Sequence, residues 1–170
     1  MARRIVVMGV SGCGKSTIGK LLSRKLGYPF LEGDSFHPPE NVQAMASGQA
    51  LNDRMREPWL LSLAAAIAQE SDGVVVSCSA LRKSYRDILR ANGPVFLVHL
   101  TLDLPEARRR MEMRRGHFMN PALAESQLAS LEALSADEHG VTLDATMPPN
   151  KLVERALAAL TLSPDTVSQA

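Results

Sequence analysis

Residues Gly9-Val10-Ser11-Gly12-Cys13-Gly14-Lys15-Ser16 combine three glycines, a lysine and a hydroxyl at a spacing suited to holding phosphate. Small residues let successive backbone N–H groups curl round an anion, and a helix beginning near residue 15 adds the positive end of its dipole. In such a P-loop the lysine reaches the β- and γ-phosphates of a nucleoside triphosphate, and the serine hydroxyl joins the magnesium shell. The expected ATP-binding residues are Gly9, Val10, Ser11, Gly12, Cys13, Gly14, Lys15, Ser16 and Thr17, with Lys15 catalytic and Ser16 the magnesium ligand. A chance glycine-rich turn fits poorly, because the motif is complete and lies between an apolar run and a helical pattern.

The acceptor of the phosphoryl group needs a base or an orienting carboxylate. Asp34 follows the short apolar pair Phe30-Leu31, so it falls at the carboxyl end of a strand, where open α/β sheets place their ligands. There it can take a proton from an attacking hydroxyl or orient that hydroxyl beside magnesium; as Gly-Asp-Ser it can equally cap a turn. The third strand ends in Ser77-Cys78-Ser79 without an acid, which argues against a motor or transporter ATPase. Asp103 reads as a helix cap and Arg108 to Arg110 as a mostly solvated face. Arg114 and Arg115 precede Gly116-His117-Phe118, the expected flap, where an arginine can swing over the transferring phosphate. Trp59 reads as a packing anchor, and His99 and His139 receive no role.

The elements that must position these groups alternate between β-branched runs and helical patterns, the mark of a parallel sheet covered by helices. Strands are expected over 5–8, 30–31, 74–77, 95–100 and 141–143. Helices are expected over 15–26, from Pro38-Pro39 to about Ala46, and over 59–68, 80–91, 105–114, 123–134 and 152–160. The fold class is therefore α/β: a P-loop three-layer α/β/α sandwich with a five-stranded parallel sheet and a helical lid. One domain spans 1–162 with a mobile lid at about 114–127, and 163–170 form a flexible tail.

The chain has 170 residues, 45% of them apolar and 22% charged, which suits one globular core. A net charge of +1 offers no bulk field for nucleic acid or an anionic membrane. The apolar stretch after Arg3-Arg4 is too short for a signal peptide, and no run approaches the roughly 20 residues of a membrane span. Cys13 and Cys78 lie in or beside the expected site, so reduced thiols and a cytoplasmic location are expected.

Four stretches resemble the small gluconate kinases, a branch of the P-loop kinases beside shikimate kinase. They are the phosphate loop through Thr17; Glu32-Gly33-Asp34 with Phe36-His37-Pro38 and Asn41; Met45-Ala46-Ser47-Gly48 with Leu51-Asn52-Asp53, Arg56 and Pro58-Trp59-Leu60; and Cys78-Ser79-Ala80-Leu81-Arg82-Lys83 with Tyr85-Arg86. The flap adds Arg114, Gly116-His117-Phe118-Met119 and Ser126-Gln127. The resemblance implies transfer of phosphate from ATP·Mg to the 6-hydroxyl of D-gluconate, in a homodimer. It implies Lys15, Asp34 and Arg114 as catalytic residues. Asp34, His37, Arg56, Arg82, His117 and Gln127 are implied to bind substrate, with His37, Arg56 and Arg82 as a cationic clamp on the carboxylate. The chain departs from the family pattern at Ala44, Ala50, Arg54 and Met55, which leaves open another hexonate as acceptor; the runner-up enzyme is another small-molecule P-loop kinase, acting on shikimate or a nucleotide. A nucleotide-dependent ATPase switch is the reading from a different class.

Overall fold

The computed structural model describes residues 3–113 and 123–162. β1 (Arg3–Met8), β2 (Phe30–Glu32), β3 (Gly73–Ser77), β4 (Phe96–Thr101) and β5 (Gly140–Asp144) form one parallel sheet in the order β2-β3-β1-β4-β5. The helices are α1 (Lys15–Leu26), α2 (Pro39–Ala46), α3 (Asp53–Gln69), α4 (Lys83–Arg90), α5 (Leu104–Met113), α6 (Leu123–Ser130) and α7 (Pro149–Thr161). The expected three-layer fold is the observed one. Among the described residues no helix is long and apolar enough to cross a membrane.

The central strand β1 shows why the sheet must be sandwiched. Ile5 and Val7 enter one core with Ile18 and Leu22 of α1, Ala107 and Met111 of α5, and Leu152, Val153 and Ala156 of α7. Val6 and Met8 point the other way, to Trp59, Leu60 and Leu63 of α3 and Tyr85 and Leu89 of α4. A strand apolar on both faces is stable only with helices on both. This burial fixes where the strand ends fall, and the functional loops hang from those ends.

Several helix boundaries differ from the sequence reading, each for a local reason. α3 begins at Asp53, not residue 59, because Asn52 Oδ1 accepts from the Met55 N–H at 2.9 Å and caps a helix that continues through Pro58. α4 begins at Lys83, not residue 80. Ala80 sits at φ 44 and Arg82 is extended, while the Glu132 carboxylate accepts the Lys83 N–H from outside at 2.6 Å. α6 stops at Ser130 because the Glu132 N–H turns away to the Leu81 carbonyl at 2.7 Å. Asp103 does cap α5, accepting from the Glu106 N–H at 2.9 Å. The lid segment before residue 123 and the tail after residue 162 lie outside the described residues.

The irregular segment between β3 and α4 is held by one side chain. Arg86 is fully buried and pairs with Glu138 through Nε to Oε1 at 2.6 Å and Nη2 to Oε2 at 2.9 Å. Its remaining donors reach the carbonyls of Ala80, Leu81, Glu132 and Ala133 at 3.1 to 3.2 Å. Burial pushes the Glu138 carboxyl up, but hydrogen bonds from Arg86 and Ser135 outweigh it and hold the group at about 2, against an ordinary 4.5. A carboxyl held low stabilises the fold fully above pH 4.5, and that contribution is lost as pH falls through about 2. Arg86→Met should destabilise the protein by about 3–5 kcal/mol in urea unfolding at neutral pH, because Glu138 is left buried without its counter-charge, with only Ser135 among the described residues to donate to it. Glu138→Gln should flatten the acid limb of the stability profile below pH 4.5. Wild-type unfolding midpoints in both variants would contradict this account.

Candidate active site

The site is assembled at the carboxyl ends of β1, β2 and β3. After β1 the chain makes a tight loop, and the Gly9 N–H donates to the Ser79 carbonyl at 3.2 Å while the Cys78 N–H donates to Val7 at 3.1 Å. The loop and the end of β3 are thus hydrogen-bonded together. At Gly9 the backbone has φ 142, and a Cβ would collide with the Leu100 carbonyl of β4, so glycine is required. α1 then starts with no side-chain cap and no acid in its first turn. Its opening N–H groups lack intrahelical acceptors, and its positive dipole end is not neutralised there. That is a built place for an anion. Lys15 lies folded across the loop, its Nζ donating to the Val10 carbonyl at 3.1 Å.

Asp34 follows β2 in a 3-10 turn, Gly33–Phe36, whose position is tightly set. The Gly33 N–H donates to Ser77 Oγ at 3.2 Å, Ser77 Oγ donates to Glu32, and Trp59 Nε1 donates to the Gly33 carbonyl at 2.8 Å. A Cβ on Gly33 would collide with the Ser77 carbonyl, so only glycine lets β2 close onto β3 here. The charges of Asp34 and Lys15 both act on the buried Cys78 thiol. Burial, chiefly, pushes that thiol up to about 12; the Asp34 charge adds to this, while the Ala80 backbone and Lys15 oppose it. Cys78 therefore stays protonated and inert.

The three residues implied as a cationic clamp do converge, but not as three cations. Burial, and then the Arg56 charge, hold the His37 imidazole at about 4. His37 stacks on Trp59 with centroids 3.9 Å apart and planes 19° off parallel. Asn41 Nδ2 lies 2.8 Å from the Met55 carbonyl, which can only accept, and 3.2 Å from His37 Nδ1. That arrangement makes Nδ1 an acceptor and leaves Nε2–H as the donor of a neutral ring. Arg56 and Arg82 supply the positive charge, with guanidinium carbons 5.3 and 6.0 Å from the centre of the Tyr85 ring. Arg56 Nη1 donates to the Leu51 carbonyl and to the Tyr85 hydroxyl, which in turn donates to Asp53. Asp53 pairs with Arg82 at 3.3 Å.

Two further side chains have partners that the sequence reading did not anticipate. Gln127, expected to line the acceptor pocket, puts Oε1 on the Ser11 N–H of the phosphate loop at 2.7 Å. Arg110, assigned to a solvated face, packs its Cβ 3.3 Å from the position a Gly12 Cβ would take, and donates to the Ala145 carbonyl after β5 at 3.1 Å. Tyr85 and Asn41 were not singled out for chemistry. Their one sequence signal was membership of the stretches shared with the gluconate kinases. Arg114 and His117 lie outside the described residues.

A phosphate loop after the central strand β1, an acid just after the edge strand β2 and a separate group of arginines around Tyr85 together define a small-molecule kinase of the P-loop type. A family profile described as Shikimate kinase matches residues 11–161. The gluconokinase of Gluconobacter oxydans (strain 621H) is 40% identical over 159 residues, covering 91% of this chain and 89% of that protein. A crystal structure of a sugar kinase from Janibacter sp. HTCC2649 superposes with a TM-score of 0.90 at 43% identity, covering 99% of this chain and 100% of that one. A gluconokinase structure from Sinorhizobium meliloti 1021 gives 0.85 at 43% identity, covering 94% and 91%. The chain belongs to the gluconokinase family.

The neutral His37 gives a direct test. Its ring should titrate by NMR with a midpoint near 4 rather than 6.5, and replacing Arg56 with leucine should raise that midpoint. A midpoint at the ordinary value would mean that His37 is an exposed cation and that the Asn41–His37–Trp59 packing is wrong.

Proposed function

We propose that the protein transfers the γ-phosphoryl group of ATP to the 6-hydroxyl of D-gluconate, giving 6-phosphogluconate and ADP. The observation that carries the reading is that the charges of Asp34 and Lys15 both reach the buried Cys78 thiol just after β3, while Arg56 and Arg82 gather at Tyr85 and Arg56 also acts on neutral His37. Gluconate is a polyol with a single carboxylate. A pocket with two arginines, a neutral imidazole donor and a tyrosine hydroxyl suits such a molecule better than one made of charge alone. The gluconokinase names of the relatives support the same acceptor.

Each residue then has a role in the transfer. The open N–H groups at the start of α1 hold the phosphates, and Lys15 leaves the Val10 carbonyl to meet the developing charge. Asp34 accepts the proton of the attacking hydroxyl as the new O–P bond forms and the bond from Pγ to the ADP oxygen breaks. Arg56 and Arg82 hold the far carboxylate and so aim the 6-hydroxyl at phosphorus. Among the described residues no cluster of three or more His, Cys, Asp or Glu forms a metal cage of its own. Ser16, at the start of α1 beside the phosphates, would hold a magnesium ion brought in with the nucleotide, and that ion would supply charge neutralisation. Arg114 is assigned to the transferring phosphate and His117 to the acceptor. The resemblance also implies a homodimer, and the two free cysteines suit a cytoplasmic location.

ADP release, followed with and without gluconate, tests this reading. Gluconate should raise turnover strongly. Lys15→Ala should abolish it, and Asp34→Asn should lower kcat about a hundredfold or more with nucleotide binding largely kept. If Asp34→Asn lowered only ATP affinity, the carboxylate would belong to the magnesium shell and not to the acceptor.

A further inference from the structure

Helix α6 touches both halves of the site. Gln127 Oε1 accepts the Ser11 N–H at 2.7 Å, and both residues are buried, 8% and 5% exposed. Ser11 precedes the N–H groups that open α1, so this bond sets the loop without occupying the helix start. The nearby Val10 carbonyl already accepts from Cys13 and from Lys15. The Ser11 amide depends on Gln127 for its acceptor, since a buried N–H left without one is unfavourable.

The same face of α6 reaches the acceptor side. Leu123, Ala124 and Gln127 are its buried residues, at a spacing that puts them on one stripe. Leu123 closes a small cluster with Ala44 and Met45 of α2 and with Leu51, against which Met55 packs. Ala124 packs into the large core that also contains Val10 and Cys13 of the phosphate loop. α2 carries Asn41, which holds both His37 and the Met55 carbonyl. A continuous set of contacts therefore runs from His37 through α2 and Leu123 to Gln127 and Ser11.

We infer that Gln127 is a positioning residue for the phosphate loop, and that α6 couples occupancy of the acceptor pocket to nucleotide affinity. The coupling rests on the gluconate reading above; the role of Gln127 at Ser11 does not. Packed elements move between discrete arrangements, so a shift of α2 is passed to α6 rather than absorbed. Linkage makes the effect reciprocal: gluconate tightens nucleotide binding by the factor by which nucleotide tightens gluconate binding.

The test combines amide exchange with binding of a non-hydrolysable ATP analogue and magnesium. In the wild type, gluconate should tighten analogue binding by at least about fivefold, within the usual range of such couplings. Gln127→Met keeps the volume and removes the acceptor. It should speed Ser11 exchange and weaken analogue binding by about tenfold while β1 amides stay protected, which shows that the fold is intact. Leu123→Ala should retain the wild-type analogue affinity measured without gluconate but lose the gluconate effect. Unchanged Ser11 exchange and affinity in Gln127→Met would overturn the positioning role. A gluconate effect absent from the wild type, or persisting in Leu123→Ala, would overturn the coupling. If the wild type failed to turn over gluconate at all, the acceptor reading would fall instead, and Ser11 exchange would still decide the role of Gln127.

Discussion

Arg86 spends all of its hydrogen-bonding capacity on the inside of the protein, and the geometry of the site follows from that. Its partners are the Glu138 carboxylate and four backbone carbonyls, two of them at Ala80 and Leu81. Ala80 holds a positive φ of 44, a conformation that a non-glycine residue keeps only when its surroundings enforce it. The turn so enforced delivers three things. The Ser79 carbonyl anchors Gly9 at the entrance to the phosphate loop, the buried Cys78 thiol feels the charges of both Lys15 and Asp34, and Arg82 emerges extended towards Asp53. A guanidinium taken out of water is tolerable only with every donor satisfied, and here it also joins residues 80–81 to 132–138.

The acceptor side follows a different economy. Its centre is aromatic and neutral: His37 stacked on Trp59, and Tyr85 beneath two arginines. Trp59 does more than fill the core, because its Nε1 holds the Gly33 carbonyl and so sets where Asp34 begins. Tyr85 keeps two like charges close to one another by offering both of them its ring, while Asp53 balances Arg82. Positive charge is thereby gathered at Tyr85, beside the neutral imidazole of His37.

The parts of this arrangement that were legible in the sequence are those whose chemistry is local. The phosphate loop is eight consecutive residues whose glycines and lysine act through the adjacent backbone, and the sheet was visible in its alternating β-branched runs. Asp34 could be placed because a strand end is a local feature. What escaped depends on partners far away in the chain. Arg86 and Glu138 are 52 residues apart, and Gln127 and Ser11 are 116 apart. Residues 131–134 carry helical spacing but leave the helix because Leu81 and Arg86 claim their backbone groups. His37 looked cationic because its type permits a charge; burial and a neighbouring arginine, neither visible in one dimension, make it neutral.

The central claim is that a phosphate loop and a sugar-acid pocket share one transfer site. It is tested most directly by kcat/KM at fixed ATP for gluconate, other hexonates, shikimate and nucleoside monophosphates, with the phosphorylated position of each product located by NMR. The account predicts that gluconate gives the highest value and carries the new phosphate on its 6-oxygen. A higher value for a nucleotide or shikimate, or ADP release that no acceptor increases, would contradict it.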